Sequence, residues 1–372
     1  MDYIEGYEAK ERVSRADAKM RYVSLHSHST YSYMDGFGLP EEHAARVAEL
    51  GMHALALTEH GNVSSHVKLE QAAEKFGIKP IFGLEAYTAF ADMRETKSTR
   101  KHHQTILAMN QTGLNNLYKI VTRSWNLDFY RWPTVLGDNL KENNAGLIIS
   151  SGCSDGLLAN TLLGGKGIEE GDYDAAVGVL RRMQRLFGDR YYLEVQRFPG
   201  LERTKILNRQ YAAWGEEFGI GLMASSDVHY AHPNQNEMQK ILHAAGRNTG
   251  TVAAAEAGWE YDILLTYPQS DAEIVADLVE TGLTQKQAVQ AVENTGDIAD
   301  RCDVTLPKMD RIRYPGTKRD LLAEFTNFTP PIRSTSRLIL PTSSGSGAAS
   351  DGSTEASTSP LRPLRRRSMR SA

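Results

Sequence analysis

The sequence predicts an α/β barrel, on three observations: apolar runs alternate with helical patterns, metal-ligating residue types recur where those runs end, and 372 residues suffice for one large domain plus an appendage. Seven runs read as strands, at 22–28, 54–60, 78–87, 103–109, 146–153, 191–196 and 220–229. Alternation of this length implies a mainly parallel sheet, barrel-like or doubly wound. The barrel is favoured because candidate ligands sit at the carboxyl ends of several strands, where barrel enzymes assemble sites from separate loops.

The first run closes on His26 and His28, two apart and so on one face of an extended chain. A helix follows over 40–50: Pro40, Glu41 and Glu42 open it, Ala44, Val47, Ala48 and Leu50 share a face, and Gly51 stops it. The pattern repeats at 67–76 before Gly77, and helices are also expected at 114–125, 173–187, 201–218 and 234–245. After about 253 the rhythm changes. One more strand is expected at 259–265, then a wholly helical stretch at 271–302 forming a small appendage. From Phe325 the chain is rich in Ser, Thr, Pro, Gly and Arg and is expected to be disordered. The resulting division is an extension over 1–20, a metal-binding barrel over 21–252, a mostly helical connector over 253–324 and a tail over 325–372.

A composition of 41% hydrophobic and 24% charged residues is that of an ordinary globular protein. No apolar run approaches the roughly 18 residues of a membrane span, and the first 20 residues lack the apolar core of a secretory signal. A cytoplasmic protein without membrane partners is expected. Two cysteines, Cys153 and Cys302, exclude a disulfide framework. The net charge of −4 hides an asymmetry: seven arginines against Asp351 and Glu355 give the tail +5, leaving −9 for the rest. Any grip on nucleic acid must therefore be local.

Nine residues form the candidate constellation: His26, His28, Asp35, His60, Glu85, His103, Cys153, Asp227 and His229. That exceeds what one ion requires. The mix of imidazole, carboxylate and thiolate suits two or three divalent transition-metal ions, with zinc, manganese or iron ahead of magnesium. Between the adjacent histidines, His103 is preferred to His102 because it aligns better with its strand. A metal-dependent hydrolase follows as the reading of these residues.

The wording Val23-Ser24-Leu25-His26-Ser27-His28-Ser29, Asp35-Gly36, Leu55-Ala56-Leu57-Thr58-Glu59-His60-Gly61-Asn62, Gly77-Ile78-Lys79-Pro80-Ile81-Phe82-Gly83 and Ser226-Asp227-Val228-His229-Tyr230 resembles the polymerase and histidinol phosphatase (PHP) domain. It is especially similar to the domain at the N-terminus of bacterial DNA polymerase III alpha subunits, over about 21–315. The resemblance implies a distorted (β/α)7 TIM-like barrel of seven strands. It implies one ion on His26, His28, Glu85 and Asp227, a second on Glu85, His103 and Cys153, and a third on Asp35, His60 and His229. Glu85, Asp227 and His229 are then the expected catalytic residues. Phosphodiester hydrolysis is the implied reaction, as a 3′–5′ exonuclease on DNA in replication. No polymerase palm is expected within this chain, so a separate polymerase chain or other replisome component is an expected partner.

Two other functions fit less well: a noncatalytic, metal-stabilised scaffold for a separately encoded polymerase, and a phosphomonoesterase of the histidinol phosphatase type. The basic loop 94–101 is expected to be plain solvated loop, with guidance of a DNA backbone as the alternative. Phe129, Tyr130 and Trp132 are expected to pack in the core, with stacking on an unpaired base as the alternative. His43, His53, His66, His232 and His243 are expected to face solvent or lie on helices. The arginines at 365–367 read as a nonspecific basic run.

Overall fold

Stop signals in the sequence end the first two helices where they are expected. In the computed structural model, α1 (Pro40–Leu50) starts with proline at its first turn and ends at Gly51, whose φ of 85° lets its N–H return to Ala48 and Val47. Helix α2 (His66–Phe76) ends likewise at Gly77, with φ 69°. The structure describes residues 9–89, 100–165, 167–169, 171–246, 251–256 and 262–308, all within the unit Met1–Lys308. The expected tail, the loop residues 94–99 and the start of the 259–265 run lie outside the described residues.

A curled seven-stranded sheet carries the fold. Its strands are β1 (Ala54–Leu57), β2 (Lys79–Ala89), β3 (His102–Ala108), β4 (Thr134–Leu136), β5 (Leu147–Ser150), β6 (Tyr191–Gln196) and β7 (Gly221–Ser225). The order is β1-β2-β3-β5-β6-β7, with β4 also on β2. Neighbours are parallel except that β3 runs antiparallel to both β2 and β5. An antiparallel neighbour needs no crossover helix, and this reversal has a functional consequence. The beginning of β3 lies at the same end of the sheet as the carboxyl end of β2, where His103 pairs with Tyr87.

Two strand expectations change. The run 22–28 is not a ladder strand: it makes isolated bridges, Ser24 to Leu55 and Ser27 to Val228, and so runs alongside both β1 and β7. The reason is that side chains capture its N–H groups. Tyr22 donates to Asp271, Val23 to Thr295, Ser27 to Thr58 and Ser29 to Glu59. Instead, the seventh strand is β4, three residues too short to show a period. Residues 262–265 are not strand either; Leu265 lies in a loop whose carbonyl accepts the His229 N–H at 2.8 Å.

The remaining helices are α3 (Gln111–Asn126), α4 (Gly137–Glu142), α5 (Leu157–Leu162), α6 (Tyr173–Phe187), α7 (Glu202–Phe218), α8 (Asn236–Gly246), α9 (Val252–Glu256), α10 (Asp271–Glu280) and α11 (Gln285–Arg301). Strand alternation divides the core. Leu55 and Leu57 join the large cluster with the helices, including Ile274, Leu278, Ala288 and Val292 of α10 and α11. Ala54 and Ala56 turn to a smaller inner cluster with Val23, Leu25, Ile81, Leu107, Ile148 and Met223, which Ile298, Ala299 and Cys302 complete. Each fully buried Leu or Ile contributes about 1.5–3 kcal/mol. Apolar side chains thus fill the end of the sheet where β2 begins and β3 finishes, against the close of α11. The opposite end is left to polar chemistry. Among the described residues no helix is long and apolar enough to cross a membrane.

Candidate metal centre

All nine singled-out residues gather at that polar end. His26 and His28 come from the bridging segment, Asp35 from the loop after it, His60 from the turn after β1, Glu85 from β2 and His103 from the start of β3. Cys153 follows β5, and Asp227 and His229 follow β7. Gly152, with φ 79°, lets the chain turn under β3; a Cβ there would strike the His103 carbonyl. Asp227 itself holds φ 44°, an uncommon backbone for a residue with a side chain. It is braced by Gln196, which donates to its Oδ2 at 3.1 Å.

Glu85 is the hub. Its Oε1 lies 3.1 Å from His26 Nε2 and 3.1 Å from His103 Nδ1, and its Oε2 lies 2.5 Å from His60 Nδ1 and 3.5 Å from His28 Nε2. Asp227 Oδ1 stands 3.4 Å from His26 Nε2 and 3.7 Å from His28 Nε2. Asp35 Oδ2 stands 2.9 Å from His60 Nε2 and 3.7 Å from His229 Nε2. Cys153 Sγ is 3.6 Å from His103 Nδ1. His102 instead takes a hydrogen bond from Asn160, so His103 is the member of the adjacent pair in the cluster. Three sets bring ligand atoms within 4.8 Å of one another: His28, His60 and His229; His26, His28 and Asp227; His60, Glu85 and His103.

The electrostatics are those of a site built around positive charge. Burial alone would raise the Glu85 carboxyl, yet His103, His60 and His26 hold it well below the usual carboxylate range. Burial opposes a proton on His60, but Glu85 and Asp35 carry it up to about 10. His26 is likewise raised against its burial, by Asp227, Glu194 and Glu85. His28 goes the other way, because burial and then the His60 and His229 imidazoles disfavour its proton. Burial, then Glu85 and Asp227, push the Cys153 thiol up.

Divalent cations fit these residues. His26 Nε2, His28 Nε2, His60 Nδ1 and both Glu85 oxygens are buried and face one another in ion-pair contact. These donor atoms converge on one focus, where a cation could take the place of the imidazole–carboxylate contacts. Nitrogen and carboxylate donors of this kind suit transition-metal cations.

Several supporting residues carry no sequence signal. Glu194 of β6 is buried and sits 2.7 Å from His26 Nδ1, so the other ring nitrogen points at Glu85 and Asp227. Ser32 contacts His28 Nδ1 at 2.8 Å and donates to Glu59 at 2.6 Å. His243 on α8 is buried with Nε2 2.6 Å from Asp35 Oδ1. Of the remaining histidines, expected to face solvent or lie on helices, His43, His53, His66 and His243 are all buried, and the expectation is corrected for His53, which is on no helix. Three of these four lie on helices, and His43 bonds the Tyr267 hydroxyl while His66 bonds the Gly83 carbonyl. Core packing is corrected too: Phe129 and Trp132 are exposed.

Comparison with known proteins adds the lineage. The PHP domain family matches residues 24–198. DNA polymerase III subunit alpha of Borreliella burgdorferi is 31% identical over 299 residues, covering 78% of this chain and 24% of the relative. That of Helicobacter pylori strain 26695 is 30% identical over 308 residues, covering 80% and 24%. This chain therefore spans about a quarter of the length of these relatives. Among solved structures, histidinol phosphate phosphatase from Lactococcus lactis, complexed with zinc, L-histidinol and phosphate, overlays with a TM-score of 0.34 at 16% identity, over 64% of this chain and 95% of that one. Residues 24–198 carry a PHP domain, and over 78–80% of its length the chain is similar to bacterial DNA polymerase III alpha subunits.

Proposed function

We propose that the chain is the PHP portion of a replicative DNA polymerase III alpha subunit and hydrolyses DNA phosphodiesters as a metal-dependent 3′–5′ exonuclease. The observation that carries the reading is the convergence of five buried ligand atoms, facing one another, within a nine-residue donor set. His26, His28, Glu85 and Asp227 would hold one ion, Glu85, His103 and Cys153 a second, and Asp35, His60 and His229 a third. Zinc, manganese or iron suits these donors. Bound there, the ions would polarise a phosphodiester and lower the pKa of an attacking water. Glu85 draws the imidazoles to one focus, Asp227 fixes the approach of His26 and His28, and His229 with Asp35 bounds the outer side. On this reading β1, β2, β3, β5, β6 and β7 with the 22–28 segment make a distorted seven-stranded TIM-like barrel, β4 lying off that ring, and the protein works in the cytoplasm beside other replisome components.

The test is elemental analysis of the purified chain together with degradation of a 3′-labelled oligonucleotide. At least one equivalent of transition metal and loss of nucleotides from the 3′ end are expected. A second reading rests on the same buried donor set: a noncatalytic scaffold in which the ions contribute folding free energy and no hydrolysis. Full metal content without hydrolysis of DNA or of a phosphomonoester would favour that scaffold. Preference for the phosphomonoester would favour a histidinol phosphatase type.

Metal uptake has a definite pH dependence. His60, with a pKa raised to about 10, and His26, also raised, carry protons at neutral pH without metal. A ligating nitrogen must lose that proton. Binding therefore releases protons, and apparent affinity rises from about pH 6 to about pH 9. Titration calorimetry in two buffers of different ionisation enthalpy measures the release directly. Affinity that stays flat or falls over that range would contradict it.

A further inference from the structure

A lane of aromatic rings leads outward from the ligand cluster. Tyr87 lies nearly parallel to His60, with centroids 5.7 Å apart, and 5.4 Å from His103. Trp132 meets Tyr87 edge-on at 6.2 Å. Trp125 donates its indole N–H to the carbonyl of Gly61, the residue after His60, at 2.8 Å and stacks on Phe129 at 5.6 Å. A Cβ at Gly61 would meet Pro133 and Tyr87, so both ring pairs flank one point beside the site. Tyr87 is nearly covered, whereas Trp125, Phe129 and Trp132 are 49%, 43% and 39% exposed. Rings of that size in solvent forgo the stabilisation that core packing would give them.

Cations accompany the lane. Lys101 Nζ stands 4.0 Å from the Trp132 ring and 4.3 Å from the Tyr87 ring. Arg131, exposed at the tip of a tight turn with φ 61°, lies over Tyr130 at 5.8 Å. The geometry points to a base-stacking platform for unpaired DNA, on which Trp132 and Phe129 hold bases flanking the phosphodiester presented to the ligand cluster. The choice of DNA rests on the phosphoesterase reading. Stacking suits this chain for a physical reason: outside its tail the net charge is −9, so the protein's overall field repels a polyanion. Aromatic faces bind bases of any sequence without needing that field, and one lysine beside them can meet a phosphate. A protein partner is the other occupant such rings could take. The core of a protein interface is depleted of lysine, and Lys101 stands at the centre of this lane.

Fluorescence anisotropy with the full chain in EDTA, where hydrolysis is stopped, tests the platform. The probes are labelled oligothymidylate and a tetrahydrofuran abasic strand of equal length, which keeps the phosphates and lacks the bases. The wild type is expected to prefer oligothymidylate about ten-fold, Trp132→Ala to remove most of that preference, and Trp132→Phe to restore it. Phe129→Ala, at a more exposed ring, is expected to reduce the preference too and serves if Trp132→Ala melts early by circular dichroism. Equal wild-type affinity for the two strands, or an undiminished preference in both alanine variants, would overturn the platform, and a protein-docking role predicts that second outcome. Absence of hydrolysis by the metal-loaded wild type would instead sink the phosphoesterase reading and leaves this binding comparison intact.

Discussion

Glu85→Gln is expected to remove at least one equivalent of bound metal and to slow DNA hydrolysis roughly 10²–10³-fold, the scale on which preorganised charge acts in active sites. Among the described residues, Glu85 is the one whose two oxygens approach four imidazoles, those of His26, His28, His60 and His103. Glutamine fills the same volume but carries no charge and turns an NH2 toward nitrogens that need a cation between them. His60 and His26 then lose the carboxylate that carries their protons, so the metal-free protein repositions rings as well as losing a ligand. Metal stoichiometry by elemental analysis and the rate on a 3′-labelled strand check it. Wild-type metal content together with a rate within about three-fold would show that Glu85 lies outside the chemistry.

The contrast between Glu85 and its neighbours shows what the chain discloses before folding. The histidines at 26, 28, 60 and 229 announce themselves because they stand at the ends of apolar runs, and His26 with His28, like Asp227 with His229, stand two residues apart. Helix boundaries at Gly51 and Gly77 are legible because a positive φ almost requires glycine there. The direction of β3 is not legible: an apolar run carries no sign of which way it runs, and only the antiparallel pairing brings His103 to the correct end. The 22–28 run has strand composition, yet the side chains that take N–H groups in it and just after it are Thr58, Glu59, Asp271 and Thr295, two of them far along the chain. Phe129 and Trp132 mislead for another reason. Residue type records an affinity for apolar or π surfaces and does not say whether that surface is the core or a ligand.

Glu194 is the sharpest case of a functional residue hidden in ordinary sequence, since a lone glutamate in Tyr191–Gln196 reads as the solvent face of a strand. Folding instead buries it, with Oε1 2.7 Å from His26 Nδ1 and Oε2 accepting from Ser150 at 2.6 Å and Thr105 at 3.1 Å. Burial would raise its carboxyl, but His26 holds it down, so it is ionised in the metal-free protein. A carboxylate accepting the Nδ1 proton fixes the tautomer of His26 and makes its opposite nitrogen a better donor. Two substitutions separate orientation from charge. Glu194→Gln keeps the shape and an acceptor oxygen, so the fold should survive while metal affinity falls roughly 10–100-fold, as for other such supporting partners. Glu194→Ala leaves a buried imidazolium and two hydroxyls without their acceptor and is expected to cost about 3–5 kcal/mol of stability. Competition against a chromophoric chelator reads the first effect, and denaturant unfolding of the metal-free protein reads the second. If Glu194→Gln binds metal as tightly as wild type, His26 is held by packing against Glu85 and Asp227 alone, and the charge on Glu194 serves only to solvate Ser150 and Thr105.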